Sequence, residues 1–221
     1  DYLPIIRAIF DQSDSWRRVP GDRKRITFFA EYLTHKNLLI REQAYLEVGR
    51  APYAMIKRIS GSVPRRQIRE FLANWRLVEW QSQYILMLGQ SRDPDDIAYI
   101  RQKFETAARF GLETNLSAWV TAFIETHPDA GIEEVEALYF RNTDRSRTEL
   151  EEVLKGLSVL GSEGGALATQ DIVERRRRIV KSYAKLLDHH PGMAGRVARD
   201  LTGWRIRAMI DRMERIKKEE S

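Results

Sequence analysis

Histidine is the residue type best suited to acid–base chemistry or metal binding near neutral pH. The chain has four histidines, His35, His127, His189 and His190. A zinc site needs three or four converging ligands; Glu31 and His35 are four residues apart, but no second histidine is near them in sequence. Each histidine lies at the end of a predicted helix, where it can hydrogen-bond a free carbonyl group. We therefore predict that the histidines cap helices, and we predict no metal ion.

Clustered carboxylates could act as a general acid and base. Here they are Glu133, Glu134, Glu136, Glu149, Glu151 and Glu152. Several of them fall in or near the first turn of a predicted helix, where negative charge is favourable, so a solvated face or a partner surface for basic segments is the favoured interpretation. There is no G-x-S-x-G, P-loop or G-x-G-x-x-G motif. The chain has no cysteine, which excludes disulfides and thiolate chemistry. We predict no enzymatic activity and no cofactor.

Arginines interleaved with aromatic rings could bind a partner. Trp75 and Trp80 flank a break between predicted helices, within a stretch rich in arginine. Such rings can stack on nucleic-acid bases, although large aromatic residues more often lock one helical repeat onto the next. The candidate partner-binding surface consists of Arg65, Arg66, Arg69, Trp75 and Arg76, together with Arg178, Lys181 and Lys185.

Four consecutive arginines, Arg175 to Arg178, stand within an apolar helical pattern. On a helical wheel, Arg178, Lys181 and Lys185 lie opposite the apolar arc, on a solvated face. Arg176 falls at the centre of the apolar arc, where an unpaired guanidinium would be costly. We predict that Arg176 is a structural arginine that pairs with a carboxylate or with helix-end carbonyl groups of an adjacent repeat.

The elements that must position these residues are helices. Almost every segment has a helical period, and no convincing alternating strand is found. The breaks are short, so successive helices should pack antiparallel as stacked hairpins. The predicted helices are Ile26–Leu33, Leu38–Val48, Tyr53–Ile59, Arg65–Trp75, Val78–Leu88, Asp95–Phe110, Asn115–Glu125, Ile132–Phe140, Thr148–Leu160, Ile172–Leu187, Met193–Leu201 and Ile206–Ile216.

A faint internal repeat supports stacking. The stretches "YILMLGQSRDPDD" and "GLSVLGSEGGALA" both close an apolar helix on Leu-Gly, at Leu88-Gly89 and Leu160-Gly161, which are 72 residues apart. Two repeats of 36 residues would fit this distance. Helical solenoids use periods of that size, because one hairpin cannot bury its own apolar face.

The stretch "FFAEYLTHKNLLIREQAYLEV" resembles a HEAT repeat. Phe29 and Leu33 end its first helix, and Ile40-Arg41 with Ala44 begins the second. The resemblance implies a right-handed α-solenoid of about five helical hairpins with a binding role, and it implies that Arg41 is a structural arginine reaching a neighbouring turn. The longer run "YLTHKNLLIREQAYLEVGRAPY" resembles the HEAT-like region of bacterial proteins in which an exported portion precedes the helices. This resemblance and the absence of cysteine favour an extracytoplasmic location.

Length and composition indicate one large or two small globular domains in 221 residues, of which 43% are hydrophobic and 31% charged. Near the middle, the longest apolar run is Tyr84–Leu88, far below the ~20 residues of a membrane span. We expect residues 1–23 to be a lead-in segment. Residues 24–221 should form one HEAT-like domain, with a C-terminal cap at about 200–218. Because the chain begins with Asp1 rather than Met, we expect natural sequence to precede it.

The charge pattern bears on the partner. Net charge is +5, but residues 17–76 carry 14 basic and 5 acidic side chains, residues 77–171 carry 8 and 17, and residues 172–221 carry 14 and 7. Such alternation suggests internal pairing as much as attraction to a polyanion. The leading prediction is a scaffold or interaction module for a protein or peptide.

Two alternatives remain open. The first is sequence-tolerant nucleic-acid binding through residues 17–76 and 172–218. HEAT-like DNA-repair glycosylases have a similar length, but the segment after Trp119 lacks the acidic residues of their Trp/Asp-rich cluster. The second alternative is a docking or regulatory region of a larger protein. The oligomeric state does not follow from the sequence.

Overall fold

The structure is a computed structural model that describes residues 2–18, 23–163, 169–207 and 218. Over these residues every regular element is a helix and there is no strand, so the all-α prediction is confirmed. The chain forms two compact units, Asp1–Leu88 (unit 1) and Gly89–Ser221 (unit 2). None of the described helices combines the length and the apolar character that crossing a bilayer requires.

Among its described residues, unit 1 has six α-helices. Two short 3₁₀ turns, Ser60–Ser62 and Trp75–Trp80, precede α5 and α6 respectively. The core includes Ile26, Phe29 and Ile85, each at most 1% exposed. The helices are α1 (Leu3–Arg18), α2 (Arg23–Ala30), α3 (Leu38–Gly49), α4 (Tyr53–Ile59), α5 (Arg65–Ala73) and α6 (Gln81–Leu88).

In unit 2 the structure describes six further α-helices. A π-helical turn, Glu136–Phe140, continues α9, and a 3₁₀ turn, Pro191–Met193, leads into α12. The helices are α7 (Pro94–Phe110), α8 (Leu116–Thr126), α9 (Gly131–Val135), α10 (Arg147–Ser162), α11 (Gln170–His189) and α12 (Ala194–Gly203).

Local signals set the ends of α7 and α10. Asp93 caps α7 by accepting a hydrogen bond from the Asp95 amide, and Pro94 occupies the first helical position, where a missing N–H group has no consequence. Gly111 ends α7 in the left-handed conformation at φ 63°, which glycine adopts without a Cβ clash. At α10, Ser146 and Glu149 form a capping box.

Helix α8 is the centre of unit 2. Ten of its eleven residues are buried, and it packs against both α7 and α10. A helix that is apolar around most of its circumference must be enclosed by its neighbours. The aromatic rings of Phe104 and Phe123 stack between α7 and α8, with centroids 4.1 Å apart.

The described structure differs from the predicted elements at both ends of the chain. The predicted lead-in segment, residues 1–23, contains the 16-residue helix α1, in which Ile5 and Trp16 are buried. Of the predicted helix Ile206–Ile216, residues 206 and 207 are described and are not helical, and the other nine residues lie outside the described part of the chain. Ten of the nineteen residues of the predicted cap at 200–218 also lie outside it. A single repeat domain over 24–221 stays a prediction.

Candidate functional site

Exposed large apolar side chains concentrate in unit 1. Ten of the twelve such side chains among the described residues belong to it, and Trp75 is 77% exposed. Scattered single apolar residues on a surface are ordinary, whereas a concentration of them marks a surface that binds something. Unit 1 therefore carries most of the exposed apolar surface that a partner could contact among the described residues.

Helix α3 presents one stripe of side chains to a pocket in unit 1. Leu38, Arg41, Glu42 and Tyr45 line it, and their i, i+3, i+4, i+7 spacing puts them on one face of a helix. The opposite stripe is buried in the core and includes Ile40, Ala44 and Val48.

The start of α3 is held by Asn37. Its side chain accepts hydrogen bonds from the Leu39 and Ile40 amides, at 3.0 and 3.4 Å, which satisfies two of the free N–H groups at a helix start. The backbone N–H of Asn37 in turn donates to His35 Nδ1 at 3.1 Å. This cap fixes where the pocket-lining stripe begins.

The facing wall comes from α5, the 3₁₀ turn and α6. Its residues are Phe71, Leu77, Trp80, Gln81 and Tyr84. The Gln81 side-chain amide donates to the carbonyl groups of Phe71, Leu72 and Asn74, all within 3.2–3.3 Å. These are orphan carbonyls at the end of α5, so Gln81 fixes the 3₁₀ turn against that helix.

The rings of the two walls interlock. Phe71 and Tyr84 stack at 4.9 Å, and Tyr45 meets Trp80 edge-on, also at 4.9 Å. The Arg41 guanidinium carbon lies 5.3 Å from the centroid of the Phe71 ring, within the range of a cation–π contact. The free cavity between the two walls is only about 10 Å³, so the side chains nearly fill it.

The charges of the pocket are Arg41 and Glu42. Arg41 is half-buried, and among the described residues no carboxylate comes within ion-pair distance of it. The resemblance implies that Arg41 is a structural arginine, buried or paired, and that expectation stays a prediction. The structure places its guanidinium over the Phe71 ring, in the pocket.

The tyrosines of the pocket are not acid–base groups at neutral pH. The Tyr84 hydroxyl donates to the Leu33 carbonyl at 2.8 Å, and burial raises the pKa of Tyr84 to about 12. Burial likewise raises the pKa of Tyr45 above its ordinary value. Both hydroxyls therefore stay protonated at neutral pH, and the charged groups that the pocket offers a ligand are the Arg41 guanidinium and the Glu42 carboxylate.

Five residues of the predicted partner-binding surface lie in unit 1. Arg65 and Arg66 are exposed, and Arg69 is partly exposed. Arg66 pairs with Glu70 at 2.9 Å. The Arg76 guanidinium lies 5.5 Å from the ring of the exposed Trp75. None of these five lines the pocket.

The remaining three, Arg178, Lys181 and Lys185, lie on α11 in unit 2. Arg178 donates to the Pro128 and Asp129 carbonyl groups, each at 2.7 Å, and pairs with Glu133 at 2.6 Å. Lys185 pairs with the buried Glu136 at 2.9 Å. Lys181 is exposed. The helical wheel placed all three on a solvated face, but two of them reach charged or polar groups elsewhere in unit 2.

Arg176 contacts helix-end carbonyl groups. Its Nε donates to the Gly161 carbonyl at 2.6 Å and a terminal nitrogen donates to the Glu163 carbonyl at 3.3 Å, both at the end of α10.

A polar cluster in unit 2 joins α7 to α9. Arg101 makes two hydrogen bonds to Glu134, at 2.7 and 3.0 Å, and its Nε donates to His127 Nε2 at 3.2 Å. His127 Nδ1 lies 3.0 Å from the Phe123 carbonyl at the end of α8, so Nδ1 carries the proton. Both ring nitrogens are occupied, and the cluster is a structural tie. No group of three metal-ligating side chains occurs in the described part of the chain.

Sequence reasoning did not identify Tyr45, Phe71 or Tyr84 as site residues. One signal was present: the spacing of Leu38, Arg41 and Tyr45 on a predicted helix, with a charged residue between two apolar ones. Comparisons with protein-family models, with curated proteins and with solved structures found no match to this chain.

Proposed function

We propose that the chain is a non-enzymatic interaction module that binds a protein segment at the aromatic pocket of unit 1. The architecture proposed for it is a HEAT-like right-handed solenoid of about five helical hairpins. In support, helices adjacent in sequence pack on each other, namely α2 on α3, α5 on α6, α7 on α8 and α10 on α11. Stacked helical pairs of this kind commonly present binding surfaces.

The observation that carries the proposal is Arg41. It is half-buried among the rings of Phe71 and Tyr84 and has no carboxylate partner among the described residues. A guanidinium in such a place is suited to a carboxylate supplied by a partner. The exposed Leu38 and the partly exposed Trp80 would pack against an apolar side chain of the same segment. The proposed ligand is an extended peptide with an acidic residue next to a large apolar one.

Nucleic acid is the less favoured ligand, because the basic residues of α11 are largely paired. Arg175 contacts Glu125 at 2.9 Å, and Arg178 and Lys185 also have carboxylate partners. Charges already neutralised within the protein release few counterions on binding DNA or RNA.

The test is a selection of random peptides on the full chain, followed by fluorescence anisotropy with the selected sequences. We expect the selected peptides to carry Asp or Glu beside an aromatic or aliphatic residue. The Arg41→Gln variant should bind them about 10- to 100-fold more weakly, the loss that follows from removing a charge-assisted hydrogen bond. Replacing the acidic residue of the peptide by its amide should weaken binding to the native chain equally.

The matched control is Arg66→Gln, which removes the same charge from an exposed position outside the pocket. It should bind as the native chain does. Equal binding by Arg41→Gln and the native chain would show that the pocket is not the site. Tight, salt-sensitive binding of single-stranded DNA without any peptide selected would favour the nucleic-acid alternative instead.

A further inference from the structure

A second cleft, in unit 2, is bounded by α10, α11 and α12 and has a cavity volume of about 630 Å³. Two hydroxyl groups, one indole and three guanidinium groups line it. They belong to Ser158, Ser162, Arg176, Arg199, Trp204 and Arg205.

Asp200, the one carboxylate among the described residues that line the cleft, already has hydrogen-bond donors and a positive charge beside it. It is 6% exposed and accepts hydrogen bonds from Ser158 Oγ at 3.0 Å, from the Tyr183 hydroxyl at 2.7 Å and from Arg196. Its charge is therefore balanced by Arg196, which does not line the cleft.

Among the described residues, no carboxylate pairs with the three lining arginines. Within that part of the chain, Arg176 donates to the backbone carbonyls of Gly161 and Glu163. Neither Arg199 nor Arg205 makes an ion pair with any residue that the structure describes. Three like charges around one cleft repel each other and attract a multiply charged anion.

The backbone at Arg205 has a conformation that residues with a Cβ rarely adopt. Its φ is 57°, and the hydrogen bonds from Arg205 N to Thr202 O and from Ile206 N to Leu201 O form the helix end at which glycine is usual. A residue with a Cβ is strained in this left-handed region. An arginine at a position where glycine would be unstrained is consistent with a use for its side chain, and Arg205 lines the cleft.

The aromatic wall of the cleft is fixed in place. Trp204 Nε1 donates to Ser162 Oγ at 2.9 Å, and its ring stacks on Tyr183 with centroids 6.0 Å apart. A Cβ at Gly161 would lie 2.2 Å from the Trp204 ring, so that glycine makes room for the indole. A wall that is fixed before the ligand arrives lowers the cost of binding.

We propose that this cleft binds a small phosphate-bearing ligand with at least two negative charges. Guanidinium groups match phosphate oxygens with paired N–H donors, and a phosphate can accept from several arginines and a serine hydroxyl at once. The proposed ligand is a small molecule, distinct from the peptide of unit 1, so this site and the pocket can be tested separately.

The experiment is isothermal titration calorimetry of the full chain with pyrophosphate as the probe. We expect saturable binding of one pyrophosphate per chain that weakens as salt is raised, and weaker binding of citrate. Arg199→Gln should reduce the affinity about tenfold or more. Arg177→Gln is the matched control: it lies on α11, pairs with Glu174 and does not line the cleft, and it should bind like the native chain.

Arg205→Gly separates binding from folding. It should also lose about tenfold or more in affinity, while its thermal midpoint stays the same or rises, since glycine relieves the backbone strain. The proposal is overturned if pyrophosphate does not bind, if Arg199→Gln and Arg205→Gly bind it like the native chain, if citrate binds as tightly, or if single-stranded DNA binds and pyrophosphate does not.

Discussion

Two buried tyrosines, Tyr84 in unit 1 and Tyr139 in unit 2, differ in what their hydroxyl groups contact. The Tyr84 hydroxyl donates to the Leu33 carbonyl at 2.8 Å. The Tyr139 hydroxyl has no hydrogen-bond partner among the residues described. A made hydrogen bond contributes about 1 kcal/mol to stability, whereas a buried hydroxyl without a partner costs about 1–3 kcal/mol. The hydroxyl should therefore stabilise the fold at Tyr84 and destabilise it at Tyr139.

Removing each hydroxyl tests this difference. Tyr84→Phe should lower the free energy of unfolding by about 1 kcal/mol, because the Leu33 carbonyl loses its donor. Tyr139→Phe should leave the free energy unchanged or raise it, since it removes an unsatisfied group and keeps the ring that faces Arg145 at 4.6 Å. Urea unfolding followed by circular dichroism measures both. Equal losses in the two variants would mean that Tyr139 has a partner after all.

Single arginines show what sequence can and cannot predict at the residue scale. The helical wheel gave the direction of Arg176 into the apolar arc, and hydrogen-bond acceptors lie there, at Gly161 and Glu163. The helical wheel also placed Arg178 on the side opposite the apolar arc. It could not show that the carbonyl groups of Pro128 and Asp129 lie next to the Arg178 side chain. Those partners are about 50 residues away along the chain, and only packing brings them near. Periodicity indicates direction, not what lies opposite.

At the scale of elements, the close approach of α8 to α10 depends on one glycine. A Cβ placed on Gly156 would lie 2.6 Å from the Ser117 carbonyl oxygen and 3.0 Å from the Val120 side chain. The first of these atoms belongs to the backbone of α8 and cannot move without shifting the helix. The Thr121 hydroxyl also donates across this contact to the Gly156 carbonyl at 3.2 Å, so the two helices are in register as well as close.

Adding one methyl group tests the contact. Gly156→Ala should destabilise the protein by about 1–3 kcal/mol, the usual cost of overpacking, even though alanine is the better helix former. Gly195→Ala in α12 is the matched control, because nothing lies within 4 Å of its Cβ position; it should be neutral or stabilise by up to about 1 kcal/mol. Thermal unfolding separates the two. A stable Gly156→Ala would show that α8 and α10 can move apart at little cost.

Element positions followed from sequence where local signals were strong. Helix α4, Tyr53–Ile59, has the predicted bounds, and α7 begins at Pro94 one residue before the prediction. Three features were not predicted. Helix α1 was missed because two of its later turns are polar, and the pattern there fades. The 3₁₀ turn Trp75–Trp80 and the π-helical turn Glu136–Phe140 depend on contacts from other segments, such as those of Gln81 with the end of α5, which a local pattern does not contain.

The same limit applies to the pocket of unit 1. Its α3 wall is a stripe that periodicity could have identified. The opposite wall requires the chain to return after about 30 residues and to place Phe71 and Tyr84 against that stripe. Sequence reasoning favoured Trp75 and the arginines around it, because it read proximity along the chain as proximity in space.

On the scale of the whole molecule, charge is segregated along the chain and brought together by folding. Within unit 2, carboxylates of the acidic middle block, residues 77–171, pair with basic residues of the block that follows it. Arg175 pairs with Glu125, Arg178 with Glu133 and Lys185 with Glu136. A net charge of +5 therefore overstates how much positive charge of α11 is open to a polyanion.

Acid should expose how much of this pairing stabilises unit 2. Burial by itself raises the pKa of the Glu133 carboxyl, but the hydrogen bond from Arg178 and the charges of Arg178 and Lys185 outweigh burial and lower that pKa below 4.5. A carboxyl with a lowered folded pKa stabilises the fold above its unfolded pKa. That contribution is lost as pH falls through the folded value.

The variant that isolates this effect is Arg178→Gln. At pH 7 it should lower the free energy of unfolding by about 1–2 kcal/mol, because it removes the Glu133 ion pair and two bonds to backbone carbonyls. The difference in free energy of unfolding between this variant and the native chain should become smaller between pH 7 and pH 3. Protonated Glu133 no longer attracts the arginine. The part that remains at pH 3 measures the carbonyl bonds to Pro128 and Asp129, whose acceptors do not titrate.

Lys181→Gln removes the same charge from an exposed position on α11. Its free energy of unfolding should differ little from that of the native chain at either pH. Urea titrations of the three proteins at a series of pH values give the comparison directly. A free-energy difference for Arg178→Gln that stays constant down to pH 3 would mean that the Glu133 ion pair adds little to the carbonyl bonds that Arg178 makes. The meeting of acidic and basic blocks would then contribute little to the stability of unit 2, and the positive charge of α11 would be freer for a partner than its ion pairs suggest.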